Sequence, residues 1–246
     1  MKEIIIITTI IMRLVLSYAP LADNIQIQAG REAIEQVQVI RTVCIDPGHQ
    51  AVGDYNEEPI GPGMNQTKPR ATNGTKGISS GIYEYQLVLD VSLKLKTELE
   101  ESGYGVVMTR EVHDVNISNM ERAQIANESA DIFVRIHADE NYDENLTGIS
   151  VLCPSDNEWT GHIFNESYQL SDHILTGLIE NTGADNLGII YRQDISGFNW
   201  SEVPVVLNEM GFMSNPKEDE LLNTQAYQDR IIKGLLEGIE AYFKEK

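Results

Sequence analysis

Two histidines and two glutamates stand where their side chains could do chemistry. His49, His137 and Glu209 each follow an apolar run typical of a buried β-strand, and Glu84 begins a segment with helical spacing. Imidazole and carboxylate groups bind Zn²⁺ and also act as general acids and bases. These residues therefore form either a metal or acid–base site or a set of hydrogen-bonded buried groups.

The spacing of these residues does not choose between the two interpretations. His49 and Glu84 are 35 positions apart, and Glu84 and His137 are 53 apart, unlike the short repeats that place metal ligands on one helix. His113 lies in a polar loop, and His162 and His173 lie in a helical segment with polar neighbours, so all three are expected at the surface.

The rest of the chain alternates β-type apolar runs with helical segments. This pattern predicts a single α/β domain with a mostly parallel central sheet covered by helices on both faces. Ligands bind at the carboxyl ends of such strands, so His49, His137 and Glu209 are expected at one edge. Strands are predicted over residues 42–45, 104–109, 131–136, 149–152, 187–191 and 203–207, and helices over 87–99, 116–127, 162–181 and 227–243. Ser118 is a candidate N-cap of the second of these helices, and Gly183 is expected to end the third.

Residues 50–81 interrupt this alternation. The segment is rich in Gly, Pro, Asn and Thr and has no hydrophobic periodicity. The sequence therefore predicts one long loop, of the kind that is either functional or disordered.

Composition limits the partners. The formal net charge is −20, from 38 acidic and 18 basic residues. Binding to nucleic acid or to an anionic membrane draws on Lys and Arg, so neither partner is expected. Cys44 and Cys153 are far apart and form no CxxC pair, which leaves two buried thiols or one long-range disulfide.

The first residues predict export. Apolar stretches on either side of Arg13 end in small residues, so residues 1–22 are interpreted as a signal peptide or N-terminal anchor. Residues 23–40 are predicted to be a linker, and residues 41–245 the domain that carries the candidate residues.

Five segments together resemble the zinc-dependent N-acetylmuramoyl-L-alanine amidases, the type whose domain begins with a DPGH strand. The first, Val43–His49, resembles the opening motif of that family. The others follow in the family's order over about residues 42–243, and they are Gly81–Glu84, Gly103–Arg110, Arg122–Ala138 and Pro204–Asn215.

The resemblance implies that residues 41–245 are a zinc amidase catalytic domain. In that domain His49, Glu84 and His137 would hold one Zn²⁺, and Glu209 would be the general base and acid. The implied reaction is hydrolysis of the amide that joins N-acetylmuramic acid to L-alanine in peptidoglycan. It also implies a bacterial protein that is secreted or bound to the cell envelope. We expect a monomer, with any activator protein unknown. The alternatives are a zinc peptidase acting within the stem peptide and an inactive wall-binding homologue.

Three departures from the family pattern concern the substrate more than the chemistry. Arg135 stands where the family usually has Ser, and it shares a strand face with His137. Arg135 is therefore interpreted either as a ligand for a substrate carboxylate or as the partner of a surface acid. Gln50 replaces a usual Gly, and the 50–81 segment is longer than in compact members. Asp46 is expected either to orient His49 or to cap a turn.

Overall fold

Eight strands form within residues 40–246, the part of the chain that the computed structural model describes. Most contain runs of β-branched and other apolar residues, such as Val-Cys-Ile and Ile-Phe-Val, which favour extended backbone. The strands are β1 (Thr42–Pro47), β2 (Asp54–Pro59), β3 (Thr67–Ala71), β4 (Gly105–Met108), β5 (Ile132–Asp139), β6 (Ile149–Pro154), β7 (Asn186–Arg192) and β8 (Val205–Phe212).

Six helices connect or follow these strands in the described residues. The four predicted helices begin and end within three residues of their predicted bounds, and capping residues set two of these ends. The Ser118 hydroxyl accepts a hydrogen bond from the N–H of Glu121, and Gly183 ends its helix with φ 70°. The helices are α1 (Glu84–Glu101), α2 (Asn119–Ser129), α3 (Phe164–Thr182), α4 (Ser196–Asn199), α5 (Pro216–Leu222) and α6 (Gln225–Lys244).

The central sheet has six strands in the order β4-β1-β5-β8-β6-β7. Neighbours among β4, β1, β5 and β8 are parallel, whereas β6 pairs antiparallel with β8 and β7 pairs parallel with β6. The predicted mostly parallel sheet is therefore confirmed, with β6 and β7 reversed at one side.

Helices cover both faces of the sheet, as predicted. Residues of β1 and β5 alternate between the faces: Val43 and Ile132 pack with the apolar sides of α1, α3 and α6, whereas Cys44 and Phe133 pack with α2 and α4. Leu207 of β8 also packs on the face covered by α2 and α4. Glu209, two residues further along β8, lies on the same face.

The prediction of one long loop over residues 50–81 is wrong. The segment contains β2 and β3, which pair as a separate two-stranded antiparallel hairpin. The β2 sequence, Asp-Tyr-Asn-Glu-Glu-Pro, contains almost no apolar residues. Because it lacks the hydrophobic alternation that indicates a strand, the hairpin could not be predicted from the sequence.

Both cysteines are free and buried, so the long-range disulfide does not form. Cys44 lies on β1 and Cys153 on β6, and these strands are three strand spacings apart in the sheet. That separation is about 14 Å, well beyond the reach of a disulfide.

The predicted signal peptide or anchor and nearly all of the predicted linker lie outside the described residues. Residues 41–246 form one compact unit. None of the helices in the described part is both long and apolar enough to span a membrane.

Glycines bring α3 and α6 into close contact. A Cβ placed on Gly234 would lie 2.6 Å from the carbonyl oxygen of Gly177, and one on Gly238 would lie 2.6 Å from the Cα of Ile174. Both distances are shorter than real Cβ contacts. The backbones of α3 and α6 can therefore touch where they cross only because glycines lie there.

Replacing Gly234 with Ala should therefore lower the free energy of unfolding by about 1–3 kcal/mol, even though Ala favours helix more than Gly does. Urea unfolding followed by circular dichroism measures the change. Glu180→Ala, at an exposed position of α3, is the control and should stay within about 0.5 kcal/mol of the parent. A Gly234→Ala protein as stable as the parent would show that the helices do not need this close approach.

Candidate active site

A tight turn after β1 presents His49 to the other candidate residues. His49 has a left-handed backbone, with φ 62°, a conformation that non-glycine residues seldom adopt. Gly48 precedes it, and a Cβ there would lie 2.6 Å from Nδ1 of His137. The turn therefore brings two imidazole rings together only because residue 48 lacks a side chain.

His49, Glu84 and His137 converge on one point, although they come from three separate elements. His49 Nε2 lies 3.2 Å from His137 Nδ1, and Glu84 Oε1 lies 3.1 Å from each of these nitrogens. The structure thus brings together the three residues that the sequence analysis proposed as a ligand set.

Neighbouring groups fix the orientation of these side chains. The Thr72 hydroxyl lies 2.8 Å from His49 Nδ1, leaving Nε2 to face the centre. The Glu84 carboxylate accepts hydrogen bonds from the backbone N–H groups of Thr75 and Ala138. The segment after β3 therefore holds two of the three residues in place.

The geometry fits a tetrahedral metal ion. Donor atoms bound to Zn²⁺ at about 2.0–2.1 Å are about 3.3 Å apart, close to the separations of 3.1–3.2 Å seen here. Burial lowers the pKa of His137 to about 4, so its imidazole is neutral at pH 7, as metal binding requires. The donor set of two imidazoles and one carboxylate also suits zinc.

Glu209 lies beside this centre. It stands opposite His137 in the pairing of β5 with β8, and its Oε2 is buried without a hydrogen-bond partner among the described residues. Burial raises the pKa of Glu209 well above its ordinary value, and the charges of Glu84 and Asp139 raise it further. Glu209 is thus a carboxyl group suited to holding a proton.

Asp46 does not orient His49 by a hydrogen bond. Its fully buried carboxylate accepts hydrogen bonds from Thr109, from Nη1 of Arg122 at 2.6 Å and from Nε of Arg135 at 2.8 Å. Burial by itself would raise the pKa of Asp46, but the two guanidinium groups and the hydroxyl outweigh it and lower that pKa below its ordinary value.

Arg135 pairs with this buried acid and not with a surface acid. Its side chain is 3% exposed, and it lines a cavity of about 310 Å³ together with His49, His137 and Glu209. The position that departs from the family pattern therefore faces the candidate site.

The other three histidines lie away from this centre. His162 and His173 pair with Glu202 and Glu245 near the surface, and His162 is exposed as predicted. His113 is only partly exposed, because its ring packs edge-on against Tyr85 at 5.4 Å.

Comparison with known proteins decides the family of this site. The profile of the family Amidase_3, N-acetylmuramoyl-L-alanine amidase, matches residues 43–241. The chain belongs to this amidase family. The crystal structure of the amidase Ami1 from Mycobacterium smegmatis superposes with a TM-score of 0.75 at 26% identity, covering 84% of this chain and 98% of that one.

Two curated relatives agree with this assignment. The probable cell wall amidase LytH from Staphylococcus saprophyticus is 26% identical over 90% of this chain. The N-acetylmuramoyl-L-alanine amidase LytC from Bacillus subtilis is 26% identical over 82% of it. The chain spans 65% of the length of LytH and 36% of the length of LytC, less than two thirds of either.

Two arginines of this amidase-family domain hold the turn that carries His49, a role that the sequence analysis missed. Arg110 donates to the carbonyls of Pro47 and Gly48, and Arg122 donates to those of Pro47 and His49. Both arginines are at least 97% buried. Arginines placed at the end of a strand and among the apolar residues of a helix were the available signal, since arginine is seldom buried without partners.

Asp46, Thr109, Arg122 and Arg135 form a buried group, called here the Asp46 cluster. This cluster makes the stability of the fold depend on pH. Because the pKa of Asp46 is lower in the folded than in the unfolded state, its carboxylate stabilises the fold above the ordinary Asp pKa, and this stabilisation is lost as the pH falls below about 4. Asp46→Asn leaves two buried cations without their anion and should cost about 3–5 kcal/mol at pH 7. The difference from the parent should shrink in acid.

Urea unfolding of both proteins between pH 7 and pH 3 measures this difference. Asp90→Asn, at an exposed position of α1, serves as the control and should change stability by no more than about 0.5 kcal/mol. Equal stability of Asp46→Asn and the parent at pH 7 would contradict a stabilising role for the cluster.

Proposed function

We propose that this chain is a zinc-dependent N-acetylmuramoyl-L-alanine amidase, which hydrolyses the amide between N-acetylmuramic acid and L-alanine of the peptidoglycan stem peptide. One observation carries the proposal: the donor atoms of His49, Glu84 and His137 lie 3.1–3.2 Å apart beside Glu209, whose buried Oε2 has no hydrogen-bond partner within residues 40–246. The family match supports the choice of substrate.

In this proposal His49 Nε2, His137 Nδ1 and Glu84 Oε1 hold one zinc ion. Bound zinc supplies Lewis-acid chemistry, which activates a water molecule and polarises the scissile carbonyl. The protein contributes the orientation: Thr72 holds the His49 ring, and the N–H groups of Thr75 and Ala138 hold the Glu84 carboxylate.

Glu209 moves the proton. As the water oxygen bonds to the carbonyl carbon, Glu209 accepts a proton from that water. Glu209 then gives the proton to the alanine nitrogen while the carbon–nitrogen bond breaks, which releases a lactyl carboxyl group and a free amine. Burial beside Glu84 and Asp139, which raises the pKa of Glu209, favours the proton-carrying form that the second step needs.

The remaining roles extend this proposal. Arg135 contacts the substrate, because it lines the same cavity as Glu209. Peptidoglycan as substrate places the protein outside the cytoplasmic membrane of a bacterium, secreted or attached to the envelope, and the cell wall names of the relatives support this location. We propose that the chain acts as a monomer.

Metal content tests the ligand set. The full chain purified with zinc should carry about one ion, and His49→Ala and His137→Ala should lose it because two ligands hold zinc poorly. His162→Ala changes an exposed histidine and should keep the metal. Mass spectrometry of metals in the desalted proteins measures the stoichiometry, and full occupancy in both His49→Ala and His137→Ala would reject this centre.

Substitution of Glu209 separates metal binding from proton transfer. Glu209→Gln should keep the zinc and lower kcat by about 10²–10⁴-fold, because an amide cannot accept the proton. Mass spectrometry of digested peptidoglycan should show lactyl carboxyl ends and free L-alanine amino ends with the parent protein. New ends between amino acids would instead identify a peptidase, and undiminished activity of Glu209→Gln would reject the general base.

A further inference from the structure

Two cavities of opposite charge meet at the candidate site. Both are lined by His49, Thr72, His137 and Glu209. The acidic cavity, of about 390 Å³, adds Glu84, Asp139 and Glu140. The cationic cavity, of about 310 Å³, adds Lys68, Arg135 and Arg192.

The cations of the second cavity outnumber the acids that pair with them. Asp194 accepts hydrogen bonds from both Lys68 and Arg192 and so balances only one of these two charges. Asp46 likewise lies between Arg122 and Arg135. Each of these two sets, one around Asp194 and the other around Asp46, therefore contains two cations and one acid. Each keeps one surplus positive charge, although the net charge of the protein is −20.

Arg135 has a donor left for a ligand. Its Nε donates to Asp46 and its Nη2 donates to Asn119, and its Nη1 has no hydrogen-bond partner among the described residues. Gly197 provides the room for this guanidinium, because a Cβ there would lie 2.7 Å from Cζ of Arg135. The buried arginine is thus fixed at two nitrogens, with a third still available to a ligand.

Lys68 and Arg192 complete the cavity from the solvent side. Their side chains are 38% and 40% exposed, and Asp194 holds both of them. They come from β3 and β7, so the hairpin that the sequence analysis missed supplies one wall. An anion that enters from solvent meets these two side chains before it reaches Arg135.

We propose that the cationic cavity binds the free carboxylate of the stem-peptide residue that follows L-alanine. This inference rests on the proposed amidase function. The cavity reaches Glu209, so its ligand must lie within a residue or two of the scissile amide. Charge-assisted hydrogen bonds from guanidinium and ammonium groups favour a carboxylate there.

The same geometry orients the substrate. Asp139 and Glu140 would repel a carboxylate in the acidic cavity, whereas a neutral sugar carries no such penalty. The peptide half therefore extends from Glu209 into the cationic cavity, and the glycan half lies toward the acidic one.

Two muramoyl peptides that differ only at the second stem residue test the inference. One carries the free carboxylate and the other a carboxamide, so the scissile amide is identical. The parent protein should cleave the carboxylate substrate with a kcat/KM about tenfold higher or more, the ratio expected for losing one charge-assisted interaction.

Variants at the solvent side should change this ratio through KM. Lys68→Gln and Arg192→Gln should bring it toward one, because they should lower kcat/KM more for the carboxylate substrate than for the carboxamide substrate. Asp194→Asn removes the competing carboxylate and should raise the ratio. Lys96→Gln, on α1, breaks an ion pair with Glu111; this variant is the control and should leave the ratio unchanged.

The outcomes separate the two proposals. Cleavage of neither substrate at the lactyl–alanine amide by the zinc-loaded chain would overturn the amidase function. Equal cleavage of both substrates would overturn the carboxylate site alone. Variants at Lys68, Arg192 and Asp194 that change kcat/KM equally for both substrates would show that this ion cluster only supports the fold.

Discussion

The site depends on three parallel strands that end at one edge of the sheet. β1, β5 and β8 are neighbours, and the two-residue alternation of a strand places His137 and Glu209 on the same face. The turn after β1 then brings His49 against His137. Only Glu84 comes from elsewhere, at the first residue of α1. The backbone hydrogen-bond register of the sheet therefore sets the distances among the groups proposed to do the chemistry.

Beneath that edge lies a cluster of buried charged residues that is stable only when all of its members are present. Asp46 joins β1 to Arg122 of α2 and to Arg135 of β5, while Arg110 and Arg122 hold the carbonyls of the turn that ends in His49. Removing one charged member leaves its partners as buried charges that neither an opposite charge nor water compensates. The same cluster supports the left-handed turn and fixes Arg135 at the floor of the cationic cavity, so the residues that stabilise the fold also hold the arginine proposed to bind substrate.

Sequence patterns predicted the features that depend on residues close together in the chain. Apolar alternation located the strands of the main sheet, Ser118 and Gly183 marked helix ends, and the strand-end positions of His137 and Glu209 placed them together. Other features depend on contacts between distant residues. The polar β2–β3 hairpin has no apolar pattern, the reversed direction of β6 leaves no local trace, and the Asp46–Arg122 pair joins residues 76 positions apart. The ligand set needed a family resemblance, since spacing alone left it undecided.

The most direct measurement of the central claim is anomalous X-ray diffraction at the zinc absorption edge from crystals of the zinc-loaded chain. The account predicts a single strong peak bonded at about 2.0–2.2 Å to His49 Nε2, His137 Nδ1 and Glu84 Oε1, with the Glu209 carboxyl next to it but not bound. A crystal in which zinc lies elsewhere, while these three side chains remain metal-free, would contradict the account.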